Sequence, residues 1–534
     1  MNRRSFLHSS LPAAVSLPGL MSGLNFQAFG AAPGGALKAL AETAAANDHV
    51  LVLIQLAGGN DGLNMVVPLD MYANYYTART NVAIPQSKVL RLDGTDKSGL
   101  HPAMTEMQQL FNNGKLSIVQ SVGYDNPNFS HFRSTDIWMT GDNTVDRHAS
   151  IKTGWMGRYL ENEYPGYPAA YPNHEMPDPL AIQISSMSTV TVQGSVLSMG
   201  LNITDPLKIY SFMNPFSDYA LDNESANKEL RYLRVISEKT RTYSEIIRSA
   251  YRRANNMAEY PDNELSKQLQ IVARLIQGGL KTKVYAVSMS GFDTHKKQVN
   301  AGDTTTGVHA KLMKELSASV SAFQKDMELM GLDDRVMGMT FSEFGRRIKS
   351  NASMGTDHGT AAPLVLFGRH VKKGILGASP EIPASIETNT NLPFQYDFRS
   401  VYASVLEKWF CVQQPTLDTL LLQNYQSLPL ISAVPCGGEE EIEENNMHSQ
   451  GMELKMTPNP FSGSGVIRFT VEGGFTLIQL ISPLGRVVKV FAQQEYAAGS
   501  HILHFSDLNL PAGIYFLRLQ NGPFQKVISV MKAR

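Results

Sequence analysis

Cysteine is almost missing from this chain. Cys411 and Cys436 are the only two in 534 residues, too few for a disulfide scaffold or a cysteine-built metal cage, although in an oxidising compartment the two can pair. Neither sign of charge is in excess. With 47 Lys and Arg against 48 Asp and Glu the formal net charge is -1, so no global field argues for nucleic acid or an anionic membrane, and substrate charge has to be read locally. Long hydrophobic runs are also lacking: past the N-terminus none reaches the length that a membrane-spanning helix needs, so the mature chain reads as not an integral membrane protein. What is present is a chain with 43% hydrophobic and 18% charged residues, a globular balance at a length sufficient for two or more domains.

The first residues read as an address. Arg3 and Arg4 precede Ser5-Phe6-Leu7, a moderately apolar stretch from Leu11 to Leu24 is broken by Pro12 and Pro18, and the small residues Ala28, Gly30, Ala31 and Ala32 follow. Too short and broken to stay in a bilayer, residues 1–30 read as a twin-arginine signal peptide cleaved near its end. Export through the twin-arginine machinery is therefore expected, into the periplasm and from there to the cell surface or the medium.

Between residues 48 and 434 helical periodicity alternates with short apolar runs. His49–Leu56, Lys115–Val122, Lys283–Met289, Arg335–Phe341 and Pro363–Phe367 read as buried strands; 223–257, 263–280 and 309–329 read as helices. This order predicts an α/β domain with a mostly parallel sheet and helices on both faces. Residues 435–454, with Glu439, Glu440, Glu441, Glu443 and Glu444, read as an acidic linker. Alternating short strands over 455–534 predict a small all-β sandwich.

In a parallel sheet, ligands collect beyond the carboxyl ends of the strands. Asp61 follows the first strand, and Ser130 follows the second where a helix begins, as either an N-cap or a nucleophile beside free N–H groups. Asp293 and His295 follow the strand Lys283–Met289, Glu343 follows the next, and Asp357 and His358 precede the last. Each alone is more often a cap or an ion-pair partner; together these carboxylates and imidazoles suit a divalent ion such as zinc or manganese.

Two resemblances add to this reading. Pro458-Asn459-Pro460-Phe461, Ile481-Ser482-Pro483-Leu484-Gly485-Arg486, Leu510-Pro511-Ala512-Gly513-Ile514-Tyr515-Phe516-Leu517 and Lys526-Val527-Ile528 resemble the sorting domain of the type IX secretion system of Bacteroidetes, which implies passage across the outer membrane by that machinery. Residues 48–412 resemble the twin-arginine-exported proteins of domain-of-unknown-function family 1501, within the alkaline phosphatase and sulfatase superfamily. The residues that carry this are Leu56-Ala57-Gly58-Gly59-Asn60-Asp61-Gly62, His101-Pro102, Ser130-His131-Phe132, Asp136-Ile137-Trp138, Gly154-Trp155, Gly291-Phe292-Asp293-Thr294-His295, Ser342-Glu343-Phe344-Gly345-Arg346 and Asp357-His358-Gly359.

The second resemblance implies an alkaline-phosphatase-like fold and a metal-dependent hydrolase of phosphate or sulfate esters. Ser130 would be the nucleophile, with Arg133 or Arg346 clamping the non-bridging oxygens. Asp293, His295 and His358 form one metal site. The chain departs from the superfamily at Phe344, where a ligand His is usual, which leaves Asp61 and Glu343 with oxygen donors only unless Asp357 or His131 substitutes. At most one tightly bound transition metal is expected, with a small anionic ester or a sulfated or phosphorylated glycan as substrate. The alternative is a catalytically inactive surface protein of the same fold that holds a glycan or a protein partner.

Overall fold

The structure is a computed structural model that describes residues 48–144, 151–209 and 241–434 apart from 169, 186–188, 196 and 433, and residues 454–533 apart from 460, 472, 482–486, 507, 509, 512 and 522–523. The expected signal peptide and nearly all of the expected acidic linker lie outside the described residues, as does the part of the expected helix 223–257 before residue 241; residues 241–253 are helical. The chain divides into two compact units, with the break after Cys436.

The strand β1 (Val50–Ala57) is apolar at almost every position because both its faces are covered. Val50, Val52, Ile54 and Leu56 enter one core with Leu269 and Val272 of the helix Glu264–Gln277 and Met313 and Leu316 of the helix Val308–Leu329. Leu51 and Leu53 enter the opposite core with Ile137 and Trp138 of the helix His131–Thr140 and Met156 and Leu160 of the helix Trp155–Glu163. The two-residue period of a strand thus places helices on both faces.

After β1 come β2 (Val66–Pro68), β3 (Leu90–Leu92) and β4 (Thr95–Leu100), a small antiparallel sheet. Among the described residues the central sheet has nine strands. Besides β1 they are β5 (Leu116–Gly123), β6 (Ala181–Ile184), β7 (Gly200–Ile203), β8 (Val284–Ser290), β9 (Val336–Phe341), and, beyond the hairpin β10 (Arg346–Ser350) and β11 (Thr356–His358), β12 (Ala362–Gly368), β13 (Gly374–Leu376) and β14 (Tyr396–Asp397). Their order is β13-β5-β12-β9-β1-β8-β6-β7, with β14 beside β5. Among these described strands only β12 runs antiparallel to its neighbours.

Register decides what meets at the edge of the sheet. Ala57 pairs with Ser290 and Gln55 with Phe341, so β1, β8 and β9 end together. Ala362, where the reversed β12 begins, pairs with Val122 near the end of β5. The loops after β1, β5, β8 and β9 and the hairpin before β12 therefore emerge on one edge.

The C-terminal unit is all-β. One antiparallel sheet holds β15 (Leu454–Thr457), β16 (Gly465–Val471) and β19 (Gly499–Phe505); the other holds β17 (Gly474–Ile481), β18 (Val487–Tyr496), β20 (Gly513–Asn521) and β21 (Phe524–Lys532). Ile467 and Phe469 of the first sheet share a core with Ile478, Leu480, Leu517 and Leu519 of the second, so the two sheets form a sandwich. Cys411 is disulfide-bonded, while Cys436 lies outside the described residues. Among the described residues no helix is long and apolar enough to cross a membrane.

Candidate metal centre

The loop after β1 packs against the loop after β8, backbone to backbone. Gly58 has φ +125° and a Cβ there would overlap the amide of Asp293; at Gly59, φ +78°, a Cβ would overlap the ring of Phe344. Arg346, fully buried, ties these loops and the hairpin together. Its Nε donates to the Gly59 carbonyl at 2.7 Å, Nη1 to the Thr356 carbonyl at 2.8 Å, and Nη2 to the carbonyls of Gly58 and Phe292 and to Asp293 Oδ1, the last at 2.8 Å. Gln298 is a second clasp: Nε2 donates to Asp61 Oδ2 at 2.6 Å, and its carbonyl oxygen accepts from the hydroxyls of Thr294 and Thr356. Thr294 lies between Asp293 and His295 and Thr356 lies two residues before His358, so this buried amide couples the two ligand-bearing segments.

At this edge, Asp293 Oδ1 lies 3.2 Å from His295 Nε2 and 3.3 Å from His358 Nε2, and Asp293 Oδ2 lies 3.7 Å from His131 Nε2. His295 Nε2 and His358 Nε2 are 2.9 Å apart. His131, Asp293 and His358 place one ligand atom each within 4.8 Å of one another, close enough to share an ion. Phe344 lies under the site: its ring centroid is 4.9 Å from that of His131 and 4.4 Å from that of His358.

The far side of each imidazole fixes its tautomer. His358 Nδ1 lies 2.9 Å from the Phe129 carbonyl, which can only accept, so Nδ1 carries the proton. His295 Nδ1 faces Asp357 Oδ1 at 2.9 Å and His131 Nδ1 faces Glu343 Oε1 at 2.8 Å, and a carboxylate likewise accepts. A neutral ring held in this way directs its Nε2 lone pair toward Asp293. Three lone pairs and a carboxylate turned on one another repel unless a cation lies among them, and outer hydrogen bonds of this kind are what orient histidine ligands. The buried Oε2 of Glu343 has no hydrogen-bond partner, a further sign that positive charge belongs nearby. Nitrogen and oxygen donors in this mixture suit zinc or manganese.

Electrostatics agree with this. Burial alone would raise the Asp293 carboxyl, but the hydrogen bond from Arg346 and the guanidinium charge hold it below the ordinary value. Burial lowers His358, which favours the neutral, ligating form of its ring.

Several expected roles move. Asp61 is not a free ligand: fully buried, it accepts from Arg79 Nη1 at 2.7 and 2.8 Å and from Gln298, and although burial raises its carboxyl, the Arg79 charge and these hydrogen bonds together lower it. Glu343 and Asp357 hold imidazoles instead of forming an oxygen-only second site with Asp61. Arg133 points elsewhere, its Nη2 donating to the carbonyls of Asp142 and Thr144 at 3.3 and 2.6 Å. Arg346 has its nitrogens committed to backbone carbonyls and Asp293, which leaves it a brace and not a clamp for an ester. Ser130 is the exposed N-cap of the helix His131–Thr140, and its side chain makes no capping bond. His131, weighed from sequence only as a substitute, lies where it could supply the nitrogen that Phe344 cannot; the signal was its place at the start of a helix after the second buried strand.

Residues 226–416 match a family described as a protein of unknown function (DUF1501). Among curated proteins none matches the chain. In fold the chain is similar to the PsFucS1 sulfatase from Pseudoalteromonas sp., at 10% identity and TM-score 0.31 over 85% of this chain and 83% of that one. It is similar also to the phosphonate monoester hydrolase SpPMH from Silicibacter pomeroyi, at 7% identity and TM-score 0.27 over 90% of this chain and 88% of that one. Likeness at these scores says nothing of chemistry.

Proposed function

We propose that this protein is an exported, metal-dependent hydrolase of phosphate or sulfate esters. The observation that carries the reading is the convergence of the Nε2 atoms of His295 and His358 on Asp293, with His131 on its other oxygen, each ring held from behind by an acceptor. His131, Asp293, His295 and His358 would hold one ion. When bound, it would supply positive charge to polarise the ester and lower the pKa of a nearby hydroxyl. Ser130 precedes the ligand His131, and its hydroxyl, free of a capping bond, lies at the positive end of a helix. Its Oγ would form a bond to phosphorus or sulfur as the ester oxygen leaves as an alcohol with the hydroxyl proton; water would then break the new bond and restore the serine. Arg346 keeps Asp293 ionised and in place. Export is supported by the Arg3-Arg4 leader, and passage to the surface by the sorting-domain motifs of the C-terminal sandwich.

One observation favours an inactive binding protein instead: Arg133 and Arg346 are both spent on the protein's own groups, which leaves neither to grip the transferring group. Metal analysis of the purified chain, with a panel of aryl phosphates and aryl sulfates, separates the two readings. Hydrolysis that Ser130→Ala removes while the metal stays supports the enzyme. A fully metallated protein with no turnover on the panel supports the binding protein.

A further inference from the structure

Two aromatic side chains bracket the candidate nucleophile and its neighbouring ligand in the order Phe129-Ser130-His131-Phe132. Phe132 is 84% exposed, a value that no other large apolar side chain among the described residues reaches, and Phe129 is 37% exposed. These rings do not sit on a loose loop. The Phe129 carbonyl accepts from His358 Nδ1 at 2.9 Å, the Ser130 amide donates to Asn128 Oδ1 at 2.8 Å, and Phe132 occupies the first turn of the helix His131–Thr140. Burial would ordinarily recruit so large an apolar surface, and here it stays in water one residue after the candidate ligand His131.

We propose that Phe132, aided by Phe129, is a binding subsite for a ring carried by the ester: the flat face of an aryl group or the apolar C–H face of a pyranose, stacked while the anionic end reaches the metal centre. This rests on the ester-hydrolase reading for the anionic end only, because stacking on the ring does not require turnover. Aromatic faces pair with other ring faces in offset geometry, which gives selectivity for a cyclic over a chain-like ester.

Binding to the metal-loaded full chain tests this without catalysis. The probes are phenylphosphonate, glucose 6-sulfate, propylphosphonate and inorganic phosphate, measured by calorimetry on the wild type, Phe132→Ala and Phe132→Trp. One of the two ring probes should bind about ten-fold more tightly than propylphosphonate, and whichever it is tells an aryl from a saccharide substrate. Phe132→Ala should remove that advantage, Phe132→Trp should restore it, and affinity for inorganic phosphate should not change. Equal affinities for ring and chain probes, or equal losses for every probe including phosphate, overturn the proposal. So does a dimer of the wild type that Phe132→Ala dissociates, since the ring would then cover a second copy. Absence of hydrolysis with ring selectivity intact would count against the enzyme reading alone.

Discussion

The loops after β1 and β8 each carry an aspartate to the same edge of the sheet, yet the two acids have opposite fates. Asp61 is sealed against the buried Arg79, with every oxygen satisfied and Asn60, Asn64 and His309 nearby in a closed polar knot. Asp293 is half exposed and faces imidazole nitrogens that have no proton to give it. What separates a structural from a functional carboxylate here is whether its partners are all donors, as at Asp61, or one donor, Arg346, together with imidazole lone pairs, as at Asp293. A buried pair is costly to break because one charge is left without its counter-charge; an open cluster can lose a member and still fold.

The comparison breaks most visibly at Arg79. Arg79→Leu should lower the unfolding free energy by about 3–5 kcal/mol by stranding the Asp61 charge, as read by urea denaturation. If the loss is below about 1 kcal/mol, Asp61 has access to solvent and the two acids are not different in kind.

Acid should act on the closed knot next. Burial pushes His309 down to about 4 and its neighbour His101 down to about 3. The unfolded chain, with ordinary histidines, therefore takes up more protons than the folded one below about pH 6.5, and stability should fall as pH drops from there toward 4. The His309 contribution is on the order of 2–4 kcal/mol across that window. Its removal in His309→Gln should flatten the slope of denaturation midpoint against pH; an unchanged slope would assign it to other groups.

The open cluster should respond in metal affinity and not in stability. Glu343→Gln and Asp357→Asn keep the fold but weaken the acceptors behind His131 and His295, and each should cost about 10–100-fold in metal affinity, measured by competition with a chelator. His358→Ala should leave no tightly bound transition metal at all. Were Glu343→Gln to bind metal as the wild type does, His131 would not be a ligand.

The smallest effect is expected at Asp293→Asn, within about 1 kcal/mol of wild-type stability in the absence of metal because the side chain is 49% exposed. A much larger loss would mean that Arg346 depends on Asp293 as Arg79 depends on Asp61.

Much of the sheet was readable along the chain. The continuous apolar runs ending near Leu56, Val122, Met289, Phe341 and Phe367 match β1, β5, β8, β9 and β12 to within a residue or two, because a strand covered on both faces must be apolar at successive positions. The helix expected over 263–280 is Glu264–Gln277, with the Asn263 side chain accepting from the Ser266 amide as its cap. The reversal of β12 was not readable, since an apolar run has no direction. Nor was Arg79, a residue with no motif around it that turns out to be among the most buried side chains in the protein.

The sequence by itself determined which chemistry was available: acids, imidazoles and a serine in the loops that end buried strands, and a phenylalanine, Phe344, that cannot ligate. Tertiary structure decided the roles. Register brought Ala57 level with Ser290, Arg79 reached Asp61 from a later segment, and Glu343 and Asp357 turned to the backs of His131 and His295. The reason is physical. A residue's type limits what it can donate or accept, but whether a carboxylate is a ligand, a brace or half of an ion pair depends on the groups that folding places within about 3 Å of it.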